Sequence, residues 1–309
     1  MRGLATDSAV ADSSKANSDP KTPEPAIFSF ADYAAGAGDK LHVSTFEEGF
    51  RYRQNRQRPH RHDFYQIFWM TEGAPSFNLD FDHMSIEAHT LVFVPPGAVH
   101  TFGARNNAEG FILSFEEDFL ESEGHSVDLF AECPALDPAQ IRTLLAVPDS
   151  SVEIVDGYCR RVFEEFTAKR EGYRSATAAL LRLLLVEVRR CLSYQTSPSS
   201  FRKYSSLTAR FLRTLSARPY QVTTASEVAR LLGVSRSWLN QRVRQETEKS
   251  LTDHLQGRLI LESKRLLAHS DLNVSEVAYQ LGFEDPSYFT RLFRQMEGLS
   301  PREFREEYR

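Results

Sequence analysis

The sequence predicts an α+β protein of two domains. A strand-rich N-terminal barrel with following helices comes first, and an all-α domain of two helix-turn-helix modules comes last. Three observations carry this. A segment near the C-terminus occurs twice. The stretch from about Ile27 to Glu116 consists of short apolar runs punctuated by Gly and Pro. The charge divides unevenly between the two ends.

The repeat is the strongest of the three, because internal repetition fixes architecture. Ser226-Glu227-Val228-Ala229, followed by Leu232-Gly233, recurs 49 residues later as Ser275-Glu276-Val277-Ala278, followed by Leu281-Gly282. Each copy opens with a capping signature: Thr224 stands three residues before Glu227, and Asn273 three before Glu276. Such a pair satisfies the unbonded amides of a helix start. Gly233 and Gly282 fall where a first helix must stop and turn. Ser235 and Asp285 then cap a second helix in each copy, with Pro286 tolerated in the first turn. The pattern is helix-turn-helix.

The second helices have one apolar and one polar face. Periodicity turns Trp238, Leu239 and Val243 inward in the first copy, and Tyr288, Phe289, Leu292 and Phe293 in the second. Outward stand Arg236, Ser237, Asn240, Gln241 and Arg244 in one, and Ser287, Thr290, Arg291 and Arg294 in the other. These side-chain types read base edges and phosphates. A single amphipathic helix with a solvated face would be unremarkable, but two matched copies point to double-stranded DNA.

The run from Asn273 through Leu281-Gly282-Phe283-Glu284-Asp285-Pro286-Ser287-Tyr288-Phe289 and Arg291-Leu292-Phe293-Arg294 resembles the DNA-binding domain of AraC/XylS-family transcription regulators. The likeness extends through Gly298-Leu299-Ser300-Pro301 and Phe304-Arg305 and covers about residues 200–309. It implies a regulator of transcription, more often an activator, with RNA polymerase as a partner. One departure stands in the first recognition helix: the family usually has a basic residue where this chain has Gln241.

Charge agrees. The chain has a net charge of −5, yet Phe201 to Arg309 holds 18 Lys and Arg against 13 Asp and Glu. A basic end beside an acidic remainder suits DNA contact confined to the C-terminal domain. Cys133, Cys159 and Cys191 are scattered, without the spacing of a zinc or redox pair, which fits a reduced cytoplasmic setting. No apolar run approaches the roughly 20 residues that span a bilayer, so no membrane partner is expected.

In chain order, residues 1–25 read as a disordered tail and 26–195 as the sensing and dimerisation domain. Residues 196–202 form a Ser/Pro linker, and 203–309 the DNA-binding domain. Within the N-terminal domain, His60 to Met70, Phe77 to Phe81, Thr90 to Val94 and Phe111 to Phe115 read as strands, with Pro95-Pro96-Gly97 breaking one of them. His60-x-His62 with Gln66 and Gly73, and Pro95-x-Gly97 with His100, resemble the two motifs of cupin barrels. Metal-binding cupins usually have Glu at the place of Gln66 and commonly Asn at that of Ala104.

Alternation in one strand would turn His60, His62, Phe64, Gln66 and Phe68 to one face, on which His100 can converge. Three readings stay open. The histidines His60, His62 and His100 hold a divalent metal such as zinc, iron or manganese. Alternatively His60, His62, Gln66, His100 and Phe68 bind an organic effector, aromatic or acidic, without a cofactor. Or the histidines are structural. Arg56, Arg58 and Arg61 either neutralise an acidic ligand or form a solvated rim.

Asp137-Pro138 begins a short predicted helix into Leu145. Val152 to Lys169 and Ser175 to Tyr194 are helical by period. The latter is apolar nearly all round and must be covered on more than one side, by the barrel or by a second chain in a homodimer. A helix from Tyr204 to Ala217 opens the last domain, and a long one from Leu251 to His269 holds the two modules at fixed spacing. Two helices entering successive major grooves need that, roughly 34 Å apart. The function expected is an effector-controlled DNA-binding regulator and not an enzyme. The alternative is a metal-dependent cupin enzyme fused to a DNA-binding domain.

Overall fold

The computed structural model describes residues 26–33, 39–51, 58–103, 107–120, 133–136, 143–195, 204–217 and 224–308. The predicted tail, the linker and the residues around Asp137-Pro138 lie outside this set.

The N-terminal domain is two five-stranded sheets face to face. The first runs β1 (Ala26–Phe28), β3 (His60–His62), β8 (His100–Phe102), β5 (Ser76–Leu79), β6 (Asp82–Ser85). The second runs β10 (Leu144–Ala146), β7 (Thr90–Val94), β4 (Tyr65–Glu72), β9 (Glu109–Phe115), β2 (Leu41–Thr45). Among the described strands the pairings are antiparallel except β1 with β3. The two short helices α1 (Phe30–Tyr33) and α2 (Phe46–Arg51) precede and follow β2.

Alternation along the second sheet divides its residues cleanly, as a pleated strand requires. Phe68, Met70, Val92, Val94 and Ile112 face the first sheet and pack on Phe77 and Leu79. Ile67, Trp69, Leu91, Phe93 and Leu113 face the other way, onto α3 (Asp149–Ala168) and α4 (Tyr173–Gln195). The barrel itself explains the apolar girth of α4: Leu181, Leu184, Leu185, Val188 and Leu192 are all buried in that layer. Leu183 is left out, at 47% exposure. Three predictions are corrected here. Residues 144–146 form a strand paired with β7, not the end of a helix, because Leu145 is needed as a sheet residue over the same core. The run His60 to Met70 is two strands in different sheets, broken at Asp63-Phe64. Phe64 therefore packs on Phe30 and Tyr33 rather than lining one face with Phe68.

The C-terminal domain comprises α5 (Ser206–Ala217), α6 (Ala225–Leu231), α7 (Arg236–Thr247), α8 (Leu251–His269), α9 (Val274–Gln280), α10 (Pro286–Glu297) and α11 (Pro301–Tyr308). Both capping boxes form: Thr224 and Asn273 each accept from the third amide, and Glu227 and Glu276 answer at the cap amide. The turns are twins. Gly233 (φ 72°) and Gly282 (φ 86°) close α6 and α9 in the left-handed region, and the residues after them donate back to Ala229 and Ala278. Leu251 and Leu255 of α8 belong to the core of the first module, Ile260, Leu266 and Leu267 to that of the second. One helix is therefore the spine of both. No described helix is long and apolar enough to cross a membrane.

These packings predict a contrast in α4. Leu184→Ala should cost about 2–5 kcal/mol of unfolding free energy in urea, whereas Leu183→Ala should change it by about 0.5 kcal/mol or less in the monomer.

Candidate functional site

Two regions carry chemistry, and a buried ionic junction joins them. On the C-terminal domain, Arg236, Ser237, Gln241 and Arg244 of α7 and Ser287, Arg291 and Arg294 of α10 are exposed with the barrel in place. Asn240 and Thr290 are half-buried. The Asn240 side-chain oxygen accepts from the Leu251 amide at 3.0 Å, so Asn240 holds the start of α8 instead of standing wholly outward. Thr290 donates to the Pro286 carbonyl at 2.9 Å.

Trp238 and Tyr288 are exposed at 49% and 51%, which corrects their predicted inward placement. The buried stripe is centred on Leu239 and Val243 in one helix and on Phe289 and Phe293 in the other. That leaves the preceding aromatic on the rim of the recognition face. The two occupy matched positions in the repeat, since Leu239 and Phe289 follow them directly. That correspondence was the available signal.

In the barrel, the ring centroids of His60 and His100 lie 4.3 Å apart and those of His62 and His100 4.8 Å apart. The three therefore meet although they do not share a strand with Gln66. His62 donates from Nδ1 to the Phe64 carbonyl at 2.7 Å, and its Nε2 meets the Gln66 side-chain oxygen at 2.8 Å. The Gln66 amide donates onward to Tyr33 Oη at 2.8 Å and Ser114 Oγ at 3.0 Å. Both nitrogens of His62 are thus engaged within the chain. Among the described residues no group of three His, Cys, Asp or Glu is arranged to hold a metal ion. Phe68 lies deeper, in an aromatic cluster with Phe46, Phe77 and Phe102 at centroid distances of 5.0 to 6.3 Å.

No local sequence pattern marks the junction, whose partners lie 201 residues apart. Arg61 is neither rim nor ligand group: it is 2% exposed and pairs at 3.2 Å with Glu262 of α8, itself 2% exposed. Glu262 also pairs with Arg265 at 2.5 Å and Arg258 at 3.1 Å. Arg265 grips both oxygens of Asp80 at 2.6 and 2.7 Å, and Asp80 sits in the two-residue turn between β5 and β6. Beside it Phe81 enters the second module, edge-on to Phe304 at 5.5 Å and Tyr308 at 5.3 Å, with Lys264 over its ring. Burial alone would lower the pKa of Arg265, but Asp80 and Glu262 outweigh it and raise it. His269, at the end of α8, is lowered, first by burial. Arg58 is exposed at the surface, and Arg56 lies outside the described residues.

Known proteins match both halves. The model of the AraC-like ligand binding domain matches residues 47–185, and that of a helix-turn-helix domain residues 228–307. The transcriptional activator RhaR of Enterobacter sp. is 23% identical over 285 residues, 92% of this chain and 98% of its own. The transcriptional activator RhaS of Salmonella schwarzengrund is 24% identical over 249 residues, 80% of this chain and 87% of its own. Among solved structures, the C-terminal domain of AraT from Geobacillus stearothermophilus is 25% identical, covering 34% of this chain and 88% of that one, with a TM-score of 0.33. Relatives aligned along most of the chain are transcription activators, so the enzyme alternative is set aside.

The junction makes a strong prediction. Removing one partner of a buried ion pair leaves the others uncompensated, at about 3–5 kcal/mol. Glu262→Gln should lower stability by that amount in urea, while Asn240→Ala should cost about 1 kcal/mol, the loss of one capping contact.

Proposed function

Since the chain belongs to the AraC/XylS family of transcription regulators, we propose that it is an effector-controlled activator that reads DNA through α7 and α10. The observation that supports this best is the pair of exposed polar faces at matched positions on modules sharing the spine α8. Arg291, Gln241 and Ser237 are the side chains proposed for base edges, with Arg236, Arg244, Ser287 and Arg294 on phosphate or adjoining bases. Asn240 and Thr290 act from the edge of each face, through the backbone contacts described above.

The effector is a small organic molecule, aromatic or acidic, taken up between the sheets where His60, His62, Gln66 and His100 meet and Phe68 closes the apolar end. A mostly apolar pocket with few polar groups is the usual form of such a site. This reading needs no cofactor. A divalent metal on His60, His62 and His100 is the competing one, and it requires His62 to give up one of its two partners. The chain is proposed to work in the cytoplasm as a homodimer, with exposed Leu183 of α4 in the seam, and to contact RNA polymerase when bound upstream of a promoter.

Arg291→Ala should weaken binding to the operator by about 1–3 kcal/mol and relax base preference in footprinting. Arg294→Ala should weaken all duplexes alike and reduce the salt dependence of binding by about one ion. An unaltered footprint for the Arg291 variant overturns the assignment. In sedimentation, Leu183→Glu should shift the chain to monomer if the seam is placed correctly.

A further inference from the structure

Phe81 enters the helical domain from the turn between β5 and β6, and a histidine lies against its ring. His269, the last residue of α8, is nearly parallel to Phe81, with ring centroids 6.5 Å apart and planes at 17°. Its Nε2 is buried and has no hydrogen-bond partner. His254 on the same helix differs, since its Nε2 meets Thr247 Oγ1 at 2.8 Å. A neutral imidazole nitrogen without a partner is a modest cost out of water, whereas an imidazolium in the same place is a large one.

The charges around the ring do not reverse this. Asp80, beside Phe81 in the turn, favours the charged form, while Arg265 of α8 and Arg61 of β3 oppose it. The C-terminal end of α8 also attracts positive charge. Burial is nevertheless the largest influence, and it holds the pKa of His269 below the ordinary histidine value. From α11, Arg305 donates to the Leu267 and Leu272 carbonyls, and Tyr308 packs on Phe81. From α10, Glu297 pairs at 2.7 Å with Lys264, whose ammonium lies over the Phe81 ring. Asp271, two residues after His269, has contacts of its own.

We propose that His269 makes the contact between barrel and α8 proton-sensitive: the contact is firm while the ring is neutral, and protonation of the ring at mildly acidic pH weakens it. The sign follows from linkage. A histidine whose pKa is lower in the docked arrangement than the ordinary value of about 6.5 leaves the contact undisturbed above that value. As pH falls through it, the undocked ring takes up a proton that the docked ring refuses, and docking loses up to about tenfold per pH unit. Histidine is the side chain whose charge changes in this range, and a packed aromatic pin is the kind of element such a change can bias. The inference concerns the domain contact and depends on neither the DNA-reading residues nor the effector.

The test is urea unfolding of the full chain at about pH 7.5 and about pH 5.5, on either side of the ordinary histidine pKa, for the unaltered chain, H269Q, F81A and the double variant. Glutamine keeps a neutral amide in place of the ring, so titrations elsewhere cancel in the difference between the unaltered chain and H269Q. At the lower pH the unaltered chain should lose about three- to tenfold in its folding equilibrium constant relative to H269Q. In the F81A background that pH-dependent loss should vanish, because the ring is then open to water. A difference that does not change with pH overturns the inference. So does a pH-dependent difference that survives F81A, which would place the burial of His269 within its own domain. H269N takes the place of H269Q where the latter does not fold. The pKa of His269, read by NMR from its ring in the unaltered chain, needs no variant: a value at or above about 6.5 overturns the inference, and a lower value that rises in F81A supports it.

Discussion

The carboxylate of Glu262 is the point on which the two domains depend. It receives Arg61 from the barrel and Arg258 and Arg265 from its own helix, and it is nearly inaccessible to water. Buried ion pairs are weak evidence of stability, because desolvation offsets the attraction, but they are demanding about geometry. A shift of an ångström or two leaves a charge facing nothing. Such geometry favours discrete arrangements over a continuous slide, which is the property a switch requires. Phe81, driven into the second module beside Phe304 and Tyr308, adds an apolar pin to the ionic register.

The same contact ties the barrel's interior to α8, the spine of both helix-turn-helix modules, through few bonds. Arg61 lies between His60 and His62 on β3. The Gly97 amide donates to the His62 carbonyl at 2.7 Å, and Gly97 is the residue against which Arg258 rests. Asp80 donates its amide to the Val99 carbonyl at 2.6 Å and accepts from the Val99 amide at 3.1 Å, next to His100. His60 and His62 thus flank a residue that touches α8, and His100 reaches it through Val99 and Asp80. Such continuity is a spatial warrant for coupling; the physical warrant would be an equilibrium that both sites bias.

Much of the C-terminal domain was legible because its signals are local. Thr224 with Glu227, Asn273 with Glu276, and Gly233 and Gly282 each act within a few residues of themselves, so spacing alone declares them. The barrel was legible only as a class. The corner at Asp63-Phe64, which sends β3 and β4 into different sheets, has no Gly or Pro to mark it. Arg61 resembled a surface charge because its partner stands 201 residues away, and no local pattern announces such a pair. Asn240 illustrates a subtler failure: an amide suited to reading a base is equally suited to capping the next helix, and only the packing of α7 on α8 decides which. Hydrophobicity turns Trp238 and Tyr288 inward, although matched aromatic residues on a rim are as readily contact groups.

The two modules share a fold but not a charge pattern. Where α10 places Arg291, α7 has Gln241, and the half-buried Asn240 beside it is engaged with α8. Arg242 of α7 also leans on Glu246, at 3.6 Å. The faces proposed for DNA thus carry two arginines each, Arg236 and Arg244 in α7 and Arg291 and Arg294 in α10, but not at the same places. With α8 holding both cores, docking of one proposed recognition helix would present the other to the adjoining groove at high effective concentration. The gain lasts only while the spacing is held, and α8, which holds it, is also the helix the barrel grips. Control of the domain contact and of the proposed second DNA contact would therefore converge on one element.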